Sequence, residues 1–172
     1  VIVMVGILAA LALPKVLVDT AQVDTAVRTV GMSIMVAQRE AVARGHNVLV
    51  VFDTSAHAVR TIWDVNNNGQ IDGGEKSRPF LLPERVVFDR PSGVSALGAA
   101  SAPMPVMLTS GGKPLLVLQR NGSVDRGITL YLTTPSRRLG ATRNYARAMV
   151  LARATARPDW YVWTGSQWKR GQ

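Results

Sequence analysis

Residues 64–75 read Asp-Val-Asn-Asn-Asn-Gly-Gln-Ile-Asp-Gly-Gly-Glu. Oxygen donors recur at alternate positions: the side chains of Asp64, Asn66 and Asn68, the carbonyl of Gln70, then Asp72 and a final Glu75. This is the twelve-residue pattern of a loop that wraps a hard cation, because a chain coiled around one ion presents every second residue inward. Gly69 permits the positive φ that reverses the chain. Ile71 stands where such loops pin themselves to a core. The ion expected is Ca2+. Only three carboxylates contribute, so the affinity expected is modest and suited to the calcium levels found outside the cytoplasm. The competing expectation is a polar Asn-Gly turn that holds no metal. Thr61–Trp63 before the loop and Pro79–Leu82 after it read as strands. The loop is therefore expected to staple a hairpin, unlike an EF-hand, which moves two helices.

Other chemistry is sparse. The chain of 172 residues has no cysteine, which excludes disulfides, thiolate metal sites and a cysteine nucleophile. His46 and His57 lack any metal-ligand spacing and are expected as turn or surface residues. No nucleophile elbow, phosphate-binding loop or dinucleotide fingerprint occurs, so the sequence does not read as an enzyme. The net charge of +9 is uneven. Residues 1–118 hold ten Lys/Arg and nine Asp/Glu, whereas residues 119–172 hold ten Lys/Arg and only Asp125 and Asp159. A basic final third suits an acidic partner, a nucleic acid or anionic headgroups. The candidate patch is Arg137, Arg138, Arg143 and Arg147 in a turn-like stretch, with Arg157, Lys169 and Arg170. Trp168 adjoins it, and cations beside aromatics can bind single strands. The alternative places Trp160, Trp163 and Trp168 in or on a β core beneath solvated arginines.

Two kinds of element must position these residues. Residues 1–13 carry no polar side chain, and Pro14 and Lys15 end the run. As a helix the run spans about 20 Å, short of a bilayer core of ~30 Å. Val16, Val23, Val27, Val30, Ile34, Ala37 and Ala41 then recur at helical spacing, with Asp19, Asp24, Arg28, Arg39 and Arg44 off the stripe. The pattern predicts one long helix over residues 1–45, apolar all round at first and then on one face. A kink or local unwinding is expected at Pro14, and a stop at Gly45. From residue 46 the period changes to two. Strands are expected at Asn47–Asp53, Ala58–Trp63, Pro79–Leu82, Arg85–Asp89, Leu115–Gln119, Ile128–Leu132, Ala148–Ala152 and Trp160–Trp163. Turns are expected at Asn121-Gly122 and at Thr164-Gly165-Ser166, and a long surface loop at residues 91–114. The fold class is α+β: a long N-terminal helix packed by its second part on a mainly antiparallel β head of residues 46–172.

Val5-Gly6-Ile7-Leu8-Ala9-Ala10-Leu11-Ala12-Leu13-Pro14 resembles the N-terminal helix of type IV pilins and type II secretion pseudopilins. Leu118–Leu130, with its Gly122-Ser123 and Gly127, and Ala148–Arg157 resemble the C-terminal domain of the GspH/FimT type of minor pilin. The resemblance implies the pilin fold and a leader cleaved by a peptidase. It further implies a methylated first residue and about eight residues ahead of Val1, which would complete a membrane-spanning run. It makes Val1, Gly6, Leu8, Leu11 and Pro14 part of a helix that anchors the subunit in the bacterial inner membrane before assembly. That helix then packs among other pilin or pseudopilin subunits in a periplasmic or extracellular helical filament. The function implied is that of a minor pseudopilin priming or tipping a type II secretion pseudopilus. A major subunit of an extracellular pilus-like filament and a DNA-binding minor pilin for DNA uptake are the alternatives. Some FimT-like pilins bind DNA through a Gly-Arg-x-Arg motif. The segment Ala156-Arg157-Pro158-Asp159 matches it only at Arg157.

Overall fold

The computed structural model describes residues 2–53, 55–98, 108–110, 113–134 and 146–171, with side chains from residue 20 onward apart from 108–110, 113 and 114. Among the described residues a single helix, α1 (Ile2–Arg44), precedes nine strands. At 43 residues it is about 65 Å long. It runs without interruption through Pro14, so the expected local unwinding does not occur. Gly45 ends it as expected: its φ of 70° reverses the chain, and its N–H caps the Ala41 carbonyl at 3.0 Å.

The predicted stripe faces the core. Val23, Val27, Val30, Ile34, Ala37 and Ala41 are buried, joined by Ala26 and Ser33. Ser33 satisfies its hydroxyl on the Val30 carbonyl at 2.7 Å, a local bond that lets a polar side chain sit inside. Each buried Val or Ile contributes about 1.5–3 kcal/mol of apolar transfer, so this seam holds the helix to the head.

Two antiparallel sheets receive the helix. The first has the order β3-β2-β1-β5-β4, from β1 (Asn47–Asp53), β2 (Ala58–Asp64), β3 (Ser77–Leu81), β4 (Leu108–Ser110) and β5 (Lys113–Leu118). The second is a meander of β6 (Ile128–Leu132), β7 (Arg147–Leu151), β8 (Pro158–Trp163) and β9 (Trp168–Arg170). Val48, Val50 and Phe52 of β1 join the helix stripe and Leu130, Leu132 and Met149 of the second sheet in one core. Leu49 and Val51 point the other way, into a cluster with Ile62, Leu115 and Val117. Period two thus places apolar side chains on both faces of β1, a central strand. At Gly31 the helix comes so close to β8 that a Cβ there would lie 2.8 Å from Cη2 of Trp160.

Several expected elements shift. Arg85–Asp89 is not a strand; it makes only an isolated bridge, Val87 to Thr133. The stretch 91–114 is not all loop, because β4 and the start of β5 lie within it. β9 forms after the Gly165 turn, where no strand was expected. The first sheet has two edge strands, β3 and β4, of which β3 is the longer. Trp63 N–H donates to the Lys76 carbonyl and Leu82 N–H to that of His57, so even-numbered residues of β3 bond inward. Ser77, Pro79 and Leu81 turn their backbone groups outward, and Pro79 has no N–H to present.

Candidate functional site

The loop between β2 and β3 is closed by its own side chains. Asp64 is fully buried and accepts the Asn68 and Gly69 N–H groups, at 3.0 and 2.8 Å. The side-chain amides of Asn66 and Asn68 both donate to Oδ2 of Asp72, each at 2.7 Å. Glu75 accepts the Asp72 N–H at 3.0 Å, and Asn68 Oδ1 accepts the Gln70 N–H at 2.8 Å. Gly69 takes a φ of 71°, which a Cβ would strain. Among the described residues no three His, Cys, Asp or Glu side chains converge as a metal cluster. The convergence that exists is of Asn66, Asn68 and Asp72, two amides with one carboxylate. Turning each amide about its last torsion would exchange donor for oxygen. Ile71 does not pin the loop to the core. It is 38% exposed, and Val65 at the start of the loop is 67% exposed. The loop is instead held from outside. Asn67 Oδ1 accepts the Asn47 N–H at 2.7 Å, and Asn67 adopts a φ of 57° to reach it.

The base of the loop is tied to the end of α1. Trp63 Nε1–H donates to Glu40 at 2.9 Å, and Arg78 pairs with the same carboxylate at 3.2 Å. The guanidinium carbons of Arg44 and Arg78 lie over the Trp63 ring, 5.3 and 5.4 Å from its centre. One carboxylate and one indole therefore join the helix, β2 and β3 at a single point.

The candidate basic patch divides. Arg137, Arg138 and Arg143 lie outside the described residues, as does Val1. Arg147 is not a surface cation in a turn: it belongs to β7 and its side chain is 8% exposed. The register that turns Met149 and Leu151 into the core turns Arg147 inward too. Its Nε–H donates to Asp24 of the helix at 2.7 Å and its Nη1 to the Ala146 carbonyl at 3.2 Å. Arg170 pairs with Asp159 across β8 and β9, which raises its pKa and keeps it charged. Arg157 and Lys169 are exposed. Trp163 is buried, and Trp160 packs against the main core. The single-strand surface expected from the sequence thus loses Arg147 outright, and its tryptophans serve packing.

A model of the family described as type II transport protein GspH matches residues 26–154, about three quarters of the chain. The chain belongs to the GspH family. The match runs from the buried part of α1 to the end of β7, the segment that joins the helix seam to both sheets. GspH proteins are structural pseudopilins rather than enzymes, and the one-helix, antiparallel-sheet architecture agrees with that family. Neither the curated proteins nor the solved structures contain a match to this GspH chain. No helix among the described residues is long and apolar enough to cross a membrane.

Proposed function

We propose that the chain is a minor subunit that primes or tips a type II secretion pseudopilus. The observation that carries this is one uninterrupted helix whose described part packs on the head and whose earlier sequence is apolar. Among the described residues the buried ones run from Val23 to Ala41, and in sequence the helix begins with the uncharged run that ends at Pro14. That run anchors the subunit in the inner membrane and then packs among neighbouring helices. Subunits joined head to tail in this way continue a filament rather than closing a ring. Leu8→Arg tests it. A cation at the centre of an apolar helix costs about 2.5–3.5 kcal/mol of insertion, a hundredfold in partition. The variant head should fold normally, yet the subunit should disappear from filaments sheared from cells carrying the system. Undiminished recovery sinks the reading. A minor subunit is also scarce in wild-type filaments, whereas abundance there would make it the major one.

The β2–β3 loop is in the same reading a weak Ca2+ site. Support comes from the convergence of Asn66, Asn68 and Asp72 and from the Asp64 carboxylate turned into the loop. Asp64, Asn66, Asn68, the Gln70 carbonyl, Asp72 and Glu75 would hold the ion, which would stiffen the hairpin. Its Kd should lie near 10⁻⁴–10⁻³ M, on the order found for extracellular modules. At ten times Kd, binding to the native state alone adds about 1.4 kcal/mol. In a melting experiment that is roughly 3–5 °C for a chain of this size. Asp72→Ala should abolish the gain without Asp64's structural role being touched. An unchanged melting temperature in millimolar calcium shows a plain polar turn.

A further inference from the structure

The basic final third of the chain has three exposed cations, Arg120, Arg153 and Arg157, carried on two turns that one helix side chain ties together, and only Arg157 belongs to the patch expected from the sequence. The anchor is Gln38. Its side-chain amide donates to the Gly122 carbonyl at 2.6 Å and to the Thr155 carbonyl at 2.7 Å. The first carbonyl belongs to the turn after β5 in one sheet, the second to the turn between β7 and β8 in the other. A single –NH2 group therefore fixes these two turns about 5 Å apart at most, by the reach of two hydrogen bonds. The Val124 N–H adds a bond to the Arg153 carbonyl at 2.9 Å. Gly122 keeps the approach close: its φ is 85°, and a Cβ there would meet Val42 of the helix at 3.4 Å.

Arg120 lies two residues before Gly122, and Arg153 and Arg157 lie two residues on either side of Thr155. All three are exposed. None of the three has an ion pair among the described residues, whereas Arg78, Arg126, Arg147 and Arg170 each have a carboxylate. The acids nearest in sequence are already engaged: Asp125 pairs with Arg126 at 2.9 Å and accepts the Val117 N–H at 3.1 Å, and Asp159, two residues after Arg157, pairs with Arg170. The excess charge of the final third is thus cancelled in part and concentrated in part. These three cations sit on turns pinned to the helix, so little loop ordering is left to oppose binding.

We propose that Arg120, Arg153 and Arg157 form a docking surface for an acidic protein segment that offers several carboxylates. Arginine suits that ligand, because its planar fork meets a carboxylate with two parallel hydrogen bonds. A nucleic acid is the less suitable partner. Residues 119–127 and 152–157 contain no aromatic side chain on which a base could stack. The inference rests on the fold and not on filament assembly.

The test uses the full chain and a fluorescently labelled deca-glutamate, read by anisotropy at low salt. Binding should weaken about tenfold in the triple variant Arg120→Gln, Arg153→Gln, Arg157→Gln. It should change less than about threefold in Arg137→Gln, Arg138→Gln, Arg143→Gln, which removes the same charge from a different stretch of the sequence. An unchanged melting temperature certifies the fold of both variants. Equal losses in the two triples mean generic attraction to a basic protein and overturn the proposal, as does an absence of binding. A ten-nucleotide DNA bound more tightly than the peptide, and lost with the first triple, overturns it in favour of nucleic acid.

Discussion

Asp24→Ala should destabilise the chain by about 2–4 kcal/mol, far more than removal of an ordinary helix-surface carboxylate. Arg147 explains the size. Its side chain is 8% exposed, and its chief partner is the Asp24 carboxylate at 2.7 Å. Removing one member of a buried ion pair strands the other charge, at a cost of about 3–5 kcal/mol. Asp24 itself is 45% exposed. Water can therefore reach toward the vacated position, and the expected loss falls below that range. The asymmetry gives the decisive comparison. Arg147→Met removes the buried charge and leaves Asp24 partly solvated, so it should cost no more than about 1 kcal/mol. The double variant should resemble Arg147→Met and be more stable than Asp24→Ala alone. Urea unfolding midpoints of the three variants check this. A loss below about 0.5 kcal/mol for Asp24→Ala would mean that Arg147 is solvated in its own right.

The second large effect is expected at Phe52, which is fully buried in the core that joins the helix to both sheets. Its ring meets that of Phe88 edge-on, with centroids 5.4 Å apart and planes at 77°. Phe52→Ala should cost about 3–5 kcal/mol from lost transfer energy and the cavity left behind. Phe52→Leu should cost about 1–1.5 kcal/mol, since most of the volume is kept. Phe88 lies in the stretch that forms no strand and holds to the body by the bridge from Val87 to Thr133. Loss of the Phe52 ring should therefore also quicken tryptic cleavage after Arg85. If cleavage there stays at the wild-type rate while stability falls, the ring contact does not hold that segment.

The helix was the most legible element, because its stripe repeats over nearly twenty residues and a positive-φ glycine closes it. Val23 to Ala41 occupy the core as the spacing predicts. The inner strands were legible for a related reason: β1, β2 and β6 have continuous apolar or alternating runs bounded by turn residues. The short outer strands were not. β4 and β9 have three residues each, and Leu108-Thr109-Ser110 and Trp168-Lys169-Arg170 lack a run long enough to show a period. Arg85–Asp89 has the composition of a strand, yet only one of its residues finds a bridge. Arg147 was misplaced for a different reason. Charge alone suggested the surface, but β7 alternation turns residue 147 inward, where Asp24, 123 positions away, supplies the counter-charge. No local pattern encodes that separation. The loop at 64–75 was legible as a compact turn around Asp64, whereas the half-exposed Ile71 was not. Its anchoring fell to Asn67 and Trp63, which the twelve-residue pattern treats as spectators.

Pro79 governs how these molecules can meet one another. A sheet border with every amide free would invite a second copy to add its own strand, and a protein at high local concentration would be at risk of stacking into cross-β fibres. The imino ring breaks that row of donors at its midpoint. Lateral self-annealing through β3 is therefore discouraged.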